Sequence, residues 1–339
     1  MASDESAPDT PQRGHHTGLD YHRMLMDDPV RMGAYERAIR ALVFPGARVL
    51  DVGCGTGILA MLAARRGAQR VHGVEVAAIA GLAKQLVEHN GLTDQVIIHH
   101  TDLVDMEPVE PVDIVIGEFM GRFVVDDGML AAAAAASRWL KPGGSFCPSR
   151  IQLKLAPVGD IQFWALDRFR AQVYGLDFRP ALRYALNTCY RGQLSPNALF
   201  SEPARYHDWR LPGPPGRFDN TSTFTIERDG RLQALAGWFE ATLTPKLTLS
   251  TEPGIESHWG QYMFPLPKLQ AARGDQLQVR LWLDDDDGRA AEADAIWRWS
   301  GRLMRGTLEL GRFDLESEQR LGRRPLTDTH PSTDPERLP

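Results

Sequence analysis

The rhythm of apolar and polar positions along this chain changes once, near Pro148. Ahead of it, short apolar runs alternate with stretches of helical period. Arg48–Val52, Val71–Val76, Gln95–His99 and Val112–Ile116 are predicted to be buried strands. Ile58–Arg66, Ala77–His89 and Gly128–Leu140 are predicted helices. Asn90-Gly91 and Lys141-Pro142-Gly143-Gly144 act as stops behind the second and third helix. Strand and helix in repeated alternation predict an α/β fold built on a parallel, doubly wound sheet.

Behind Pro148 the pattern turns to strand-like alternation. Ile151–Leu155, Thr221–Glu227, Leu232–Thr242, Gln276–Leu283 and Ala295–Leu310 are predicted strands, with Asp229-Gly230 and Asp287-Gly288 as two-residue turn signals. Gln162 to about Leu199, with Phe163-Trp164, Tyr174 and Tyr184, breaks this pattern and reads as an inserted helical excursion. The expected organisation is a first domain over 15–147 and a β domain over 148–314. Residues 1–14 and 315–339, rich in Ser, Thr, Pro and acids, are expected to be disordered. No internal repeat is visible.

Composition narrows the class without naming it. With 339 residues, 43% hydrophobic and 24% charged, the chain can bury two ordinary cores. A net charge of −6 argues against a nucleic-acid binder, which needs a basic footprint, and suits a cationic substrate. No apolar run approaches the roughly 18 residues of a membrane span, and the polar N-terminus lacks the apolar core of a secretory signal. Three widely spaced cysteines offer no disulfide framework or metal pair, so a cytoplasmic protein with reduced thiols is expected.

The strongest chemical signal is Val49-Leu50-Asp51-Val52-Gly53-Cys54-Gly55-Thr56-Gly57. A hydrophobic strand runs into a glycine loop and then a helix, so the backbone can turn tightly and approach a ligand. The third glycine of a dinucleotide fingerprint is replaced by Ile58, and the acid Asp51 precedes the loop. Both features favour S-adenosyl-L-methionine over NAD. Glu75, ending the next strand, is placed to accept both ribose hydroxyls, and Asp102, after the third, to accept from the adenine amino group.

A second signal follows the fourth strand: Gly117-Glu118-Phe119-Met120-Gly121-Arg122-Phe123-Val124-Val125-Asp126-Asp127-Gly128-Met129-Leu130. Glu118 and Asp127 straddle a small loop at the sheet edge where substrate meets cofactor. This segment resembles the "double-E" hairpin of the protein arginine methyltransferases, with two acids at the same spacing, Met-Gly after the first and Met-Leu after the second. Tyr21-His22-Arg23-Met24-Leu25-Met26-Asp27-Asp28-Pro29-Val30-Arg31 resembles that family's N-terminal segment, and Ser257-His258-Trp259 its Thr-His-Trp loop.

Over roughly 20–310, the resemblance implies a Rossmann-like domain joined through Pro148 to a β-barrel, with a helical arm (about 162–199) inserted for homodimerisation. It implies methyl transfer from S-adenosylmethionine to an arginine guanidino nitrogen of a protein or peptide. Glu118 and Asp127 would hold the guanidinium, and His258, relayed with Asp27, would accept a proton. Met24, Arg31, Asp51, Gly53, Gly55, Gly57, Glu75 and Asp102 would hold the cofactor, with Arg31 on its carboxylate. Asp127 in place of the second Glu, Arg122 for the usual Tyr and Phe119 for the usual Trp depart from the family pattern. Two alternatives follow from those departures: a small guanidino substrate such as free arginine, with Arg122 as carboxylate anchor, or a weakly active cofactor-binding regulatory homologue.

Other signals carry less. Asp284–Asp287 lacks the remainder of a calcium loop and reads as a hairpin tip. His15-His16 and His99-His100 lack further ligands at metal spacing, so no metal is expected. Phe163-Trp164, Trp297 and Trp299 read as core or dimer-arm packing.

Overall fold

A computed structural model describes residues 18–118, 120–121, 123, 129–161, 166, 169, 172–284 and 296–317. Two compact units emerge: 1–119 with 131–149 and 243–247, and 120–130 with 150–242 and 248–339. Residues 1–14 and 318–339 of the expected disordered ends, His15-His16, Phe163-Trp164 and Asp287-Gly288 lie outside the described residues, as does all of the aspartate run but Asp284. Leu315 and Glu316, expected within the disordered end, instead close the last strand, with Leu315 buried.

The first unit is a five-stranded parallel sheet in the order β3-β2-β1-β4-β5. Its strands are β1 (Arg48–Val52), β2 (Arg70–Glu75), β3 (Val96–His100), β4 (Val112–Gly117) and β5 (Leu140–Cys147). Val49, Leu50, Val71, Val112 and Val115 are fully buried, as expected when helices cover both faces of a parallel sheet. The helices are α1 (Leu19–Asp27), α2 (Pro29–Leu42), α3 (Ile58–Arg65), α4 (Ala80–His89) and α5 (Met129–Ser137). Strand order reverses beside β1: β2 lies on one side and β4 on the other, with Val52 opposite Gly117. The C-terminal ends of β1 and β4 therefore flank the switch point, where such sheets bind ligands.

One stop signal proved to be more than a stop. The helix ends at Ser137, ahead of Lys141-Pro142-Gly143-Gly144, and that run lies inside β5. Its register against β4 shifts between Val112 and Ile114, which absorbs the glycine pair. His99 does not merely end a strand: its Nε2 lies 3.0 Å from Nδ1 of buried His72, whose Nε2 lies 2.9 Å from Glu110. Among the described residues no acid, histidine or cysteine cluster could hold a metal, and no helix is long and apolar enough to cross a membrane.

The second unit is barrel-like and largely antiparallel. One sheet runs β10-β6-β12-β14-β9, with β13 beside β12; the other runs β11-β15-β16-β17. The strands are β6 (Arg150–Gly159), β7 (Gln172–Val173), β8 (Leu176–Asp177), β9 (Tyr190–Gly192), β10 (Ala204–Arg210), β11 (Asp219–Thr225), β12 (Gly230–Thr244), β13 (Leu247–Ser250), β14 (Gln261–Ala271), β15 (Gln276–Asp284), β16 (Ile296–Arg305) and β17 (Leu308–Glu316).

Three expectations need correction here. The predicted strand Ala295–Leu310 is two strands, turned at Gly306 with φ +58°. Asp229-Gly230 does not close a hairpin: β11 pairs with β15, whereas β12 pairs with β6 and β14. Pro265 and Pro267 hid β14 from a sequence reading, because proline cannot donate to a ladder. The pairing of β14 with β12 shifts between Leu232 and Ala234, where the prolines sit, so the missing donors fall at an irregularity. The described part of the excursion holds the helical residues Leu166 and Phe169, the β7–β8 hairpin, 3-10 turns at Arg179–Ala181 and Pro196–Ala198, a short helix Leu182–Leu186 and β9, so it mixes strand with the helix expected. Trp297 and Trp299 are buried core residues, and Trp299 Nε1 donates to Pro265 O at 2.7 Å.

Candidate active site

The glycine loop at the end of β1 takes a conformation that side chains resist. Gly53, Gly55 and Gly57 have φ of +63°, +56° and +78°, in the left-handed region that glycine enters without a Cβ penalty. A Cβ on Gly55 would lie 3.0 Å from Cε1 of His22, so α1 packs directly on the loop. The carboxylate of Glu75, at the end of β2, holds the loop open from the other side. Its Oε2 accepts the Gly55 N–H at 2.9 Å and its Oε1 the Ala77 N–H at 2.7 Å. Each carboxylate oxygen has two lone pairs, so both retain capacity for a ligand hydroxyl.

Asp51 sits beneath this loop, 1% exposed. Neither carboxylate oxygen has a hydrogen-bond partner among the described residues. Burial pushes its carboxyl up to about 7, while the nearby Ala60 N–H and the Arg31 charge pull the other way without reversing the shift. A buried carboxylate without donors is costly unless a ligand supplies them. A cationic amino group would do so.

Glu118 extends from the end of β4, beside the glycine loop because Val52 and Gly117 are in register. Its Oε2 accepts from Arg31 Nε, and the two side chains are 5% and 7% exposed. Arg31 also donates to Leu25 O at 3.2 Å. Burial works against the Arg31 charge, but Glu118 outweighs it and the guanidinium pKa rises. Below them Tyr35, fully buried, donates to Gly117 O at 3.0 Å and fixes the strand end that carries Glu118. The sequence held His22 only as one member of the Tyr21–Arg31 motif and gave no sign of Tyr35, whose local pattern is that of any helix residue.

The two neighbouring aspartates divide differently from the sequence expectation. Asp27 points outward, 64% exposed, in a surface pair with Arg23 at 2.7 Å. Asp28 is the buried one, at 6%; its Oδ1 accepts the Val30 and Arg31 N–H groups at 2.9 and 3.0 Å and caps α2. The signal was legible, since Asp before Pro marks a helix cap followed by its first position. Met24 is half-buried on α1, and Asp102, after β3, accepts the Val104 N–H at 3.0 Å in its own turn.

In the second unit, His258 lies against Trp259, with ring centroids 3.9 Å apart, and its carbonyl accepts from Arg191 at 3.0 Å. Trp259 Nε1 donates to Met120 O at 2.7 Å, joining the Ser-His-Trp loop to the acidic segment. Asp127, Arg122 and Phe119 lie outside the described residues.

Fold and site together define a methyltransferase. Residues 49–144 match the family model for a methyltransferase domain, and 150–301 that for the arginine methyltransferase oligomerization subdomain. The chain is 31% identical over 308 residues to protein arginine N-methyltransferase 6 of Xenopus laevis, covering 84% of this chain and 89% of that protein. Protein arginine N-methyltransferase 1 of Schizosaccharomyces pombe is 31% identical over 299 residues, covering 82% and 85%. With probable protein arginine N-methyltransferase 6 of Arabidopsis thaliana the identity is 38% over 194 residues, 56% of this chain and 42% of that protein's length.

The fold also matches that of the Trypanosoma brucei PRMT1 enzyme–prozyme heterotetrameric complex solved with AdoHcy. The TM-score is 0.81 at 23% identity, over 89% of this chain and 98% of that one. Arabidopsis thaliana protein arginine methyltransferase 10 gives a TM-score of 0.78 at 24% identity, with the same coverage. The chain belongs to the protein arginine N-methyltransferase family.

Proposed function

We infer that this chain transfers methyl groups from S-adenosyl-L-methionine to a guanidino nitrogen of arginine in a protein or peptide. The observation that carries this reading is the partnerless, buried carboxylate of Asp51 below a left-handed glycine loop, beside Glu118 on the neighbouring strand end. The residues fit the cofactor. Asp51 offers an acceptor for its amino group, Glu75 retains lone pairs for the ribose, and Arg31 offers a buried cation for its carboxylate. Gly53, Gly55 and Gly57 leave room for its backbone approach, while Met24 and Asp102 lie on the flanking segments. When bound, S-adenosylmethionine supplies a methyl group made electrophilic by a sulfonium.

The protein's part is to make a poor nucleophile react. A guanidinium keeps its proton to a pKa above ~12 and, as a cation, attacks weakly. Glu118 accepts its N–H donors and draws positive charge toward the bound nitrogens, leaving the remaining nitrogen richer in electrons. Asp127 serves as the second acceptor, and His258 takes the proton that leaves. The first domain (15–147) binds cofactor and the second (148–314) carries substrate and subunit contacts. The chain acts as a homodimer through the segment at about 162–199. Its β7–β8 hairpin presents Tyr174, 97% exposed, and Leu176, 63% exposed, an apolar tip that supports burial against a second copy. The free cysteines support a cytoplasmic setting.

Incubation with methyl-labelled S-adenosylmethionine and a cell extract tests the reading. Label recovered as methylarginine from hydrolysed protein is the expected result. Label confined to free amino acids would replace the protein substrate with a small guanidino compound. Cofactor binding without transfer would leave a regulatory homologue.

A further inference from the structure

The acidic segment leaves β4 at Glu118, and Met120, Gly121 and Phe123, described after it, belong to the barrel-like unit. Phe123 is the residue it inserts there. Its ring is 3% exposed and stacks with Tyr206 of β10 at 5.7 Å and with Tyr262 of β14 at 6.2 Å. It meets Phe264 edge-on at 5.5 Å and Trp297 of β16 at 5.3 Å. The fourth wall is Gly237 of β12, where any Cβ would lie 2.4 Å from the Phe123 ring. The socket exists because that position of a long central strand has no side chain, a vacancy that otherwise weakens a strand.

The backbone is bent to make this insertion. Phe123 has φ +52°, in the left-handed region that residues with a large side chain seldom occupy. Such a conformation persists only where surrounding structure over-determines it, and the aromatic socket does so. Three residues earlier, Met120 O accepts from Trp259 Nε1 at 2.7 Å. The segment is thus tied at two points of one unit within four residues of chain.

We propose that Phe123 is a positioning residue: locked into the Gly237 socket, it sets the path of the guanidinium-binding segment that begins at Glu118. Its described contacts are all with residues of the barrel-like unit, so it acts by holding the segment there. The proposal rests on the reading of this segment as the substrate clamp, so its test carries one readout that does not depend on catalysis.

Phe123→Ala and Gly237→Ala are compared with the double variant in the full-length protein. Each single change is expected to lower kcat for an arginine-rich peptide on the order of 10-fold or more, since small misplacements at a reacting centre are costly. Cofactor affinity is expected to stay within about two-fold, because the anchor does not touch the cofactor residues. The double variant should be no worse than Phe123→Ala alone, as the added methyl no longer meets a ring. Additive losses in the double variant, or a kcat unchanged in both single variants, would overturn the proposal. Hydrogen exchange gives the independent readout: the amides of Gly121 and Phe123 should exchange about 10-fold faster or more in Phe123→Ala. Unchanged exchange overturns the anchor whatever the chemistry. Faster exchange in a protein whose wild type never methylates arginine would remove the proposed reaction and leave the anchor standing.

Discussion

Arg31 and Glu118, 87 residues apart in the chain, meet as a buried ion pair at the edge of the parallel sheet. The pair brings one residue assigned to the cofactor against one assigned to the substrate. Breaking a buried pair from one side leaves an uncompensated charge, worth roughly 3–5 kcal/mol. Glu118→Gln is therefore expected to lower the melting temperature of the cofactor-free protein, and S-adenosylmethionine to recover much of the loss by giving Arg31 a carboxylate. Methyl transfer should fall by about 100-fold or more, as for loss of a transition-state contact. A variant that melts and turns over like the wild type would remove Glu118 from the clamp.

Asp51 gives the protein a dependence on pH. Its ordinary value of 3.8 is raised to about 7 by burial. Between those values the folded state keeps a proton that the unfolded chain has released. Its contribution to stability is present below about pH 4 and declines as pH rises to about 7, by up to roughly 1.4 kcal/mol per unit. Urea denaturation at pH 5 and 7 should show the cofactor-free wild type losing ground to Asp51→Asn over this interval. A cationic amino group bound at Asp51 favours the ionised form, so calorimetry near pH 6 in buffers of different ionisation enthalpy should detect proton release on cofactor binding. That release should disappear in Asp51→Asn.

The adjacent aspartates on either side of the α1–α2 junction separate cleanly by mutation. Asp28→Ala removes a cap and its two hydrogen bonds, one buried and one part-buried, and should cost about 1 kcal/mol of stability, within the range known for N-caps. Asp27→Ala removes only an exposed pair and should stay within about 0.5 kcal/mol. Thermal melts of the two variants decide this, and peptide turnover of Asp27→Ala should remain near wild type.

The tip of the β7–β8 hairpin tests the assembly. Tyr174→Ser combined with Leu176→Ser takes apolar area from an exposed surface, so the isolated subunit should fold as before. Sedimentation velocity is expected to show the wild type as a dimer and the variant shifted toward monomer. An unchanged dimer would place the subunit contact elsewhere.

The order of elements in the first domain was legible in the sequence because each buried parallel strand is a local apolar run, and each glycine, acid and helix signal lies within a few residues of the strand it follows. Val49–Gly57, Glu75 and Glu118 could be recognised from that local context alone. The β unit was read less well. Pro265 and Pro267 obscured β14, Gly306 was passed over inside what looked like one strand, and Asp229-Gly230 joined strands of different sheets. In each case the deciding partner lies dozens of residues away.

By itself, then, the chain's sequence determined the class of nucleotide-type site, the kinds of residue that line it and the family to which it belongs, all of which depend on local pattern. Only the tertiary structure decided that Arg31 faces Glu118 and that Phe123 fills the space left by Gly237. Burial and pairing are properties of what distant segments bring to a side chain, and no spacing along the chain encodes them.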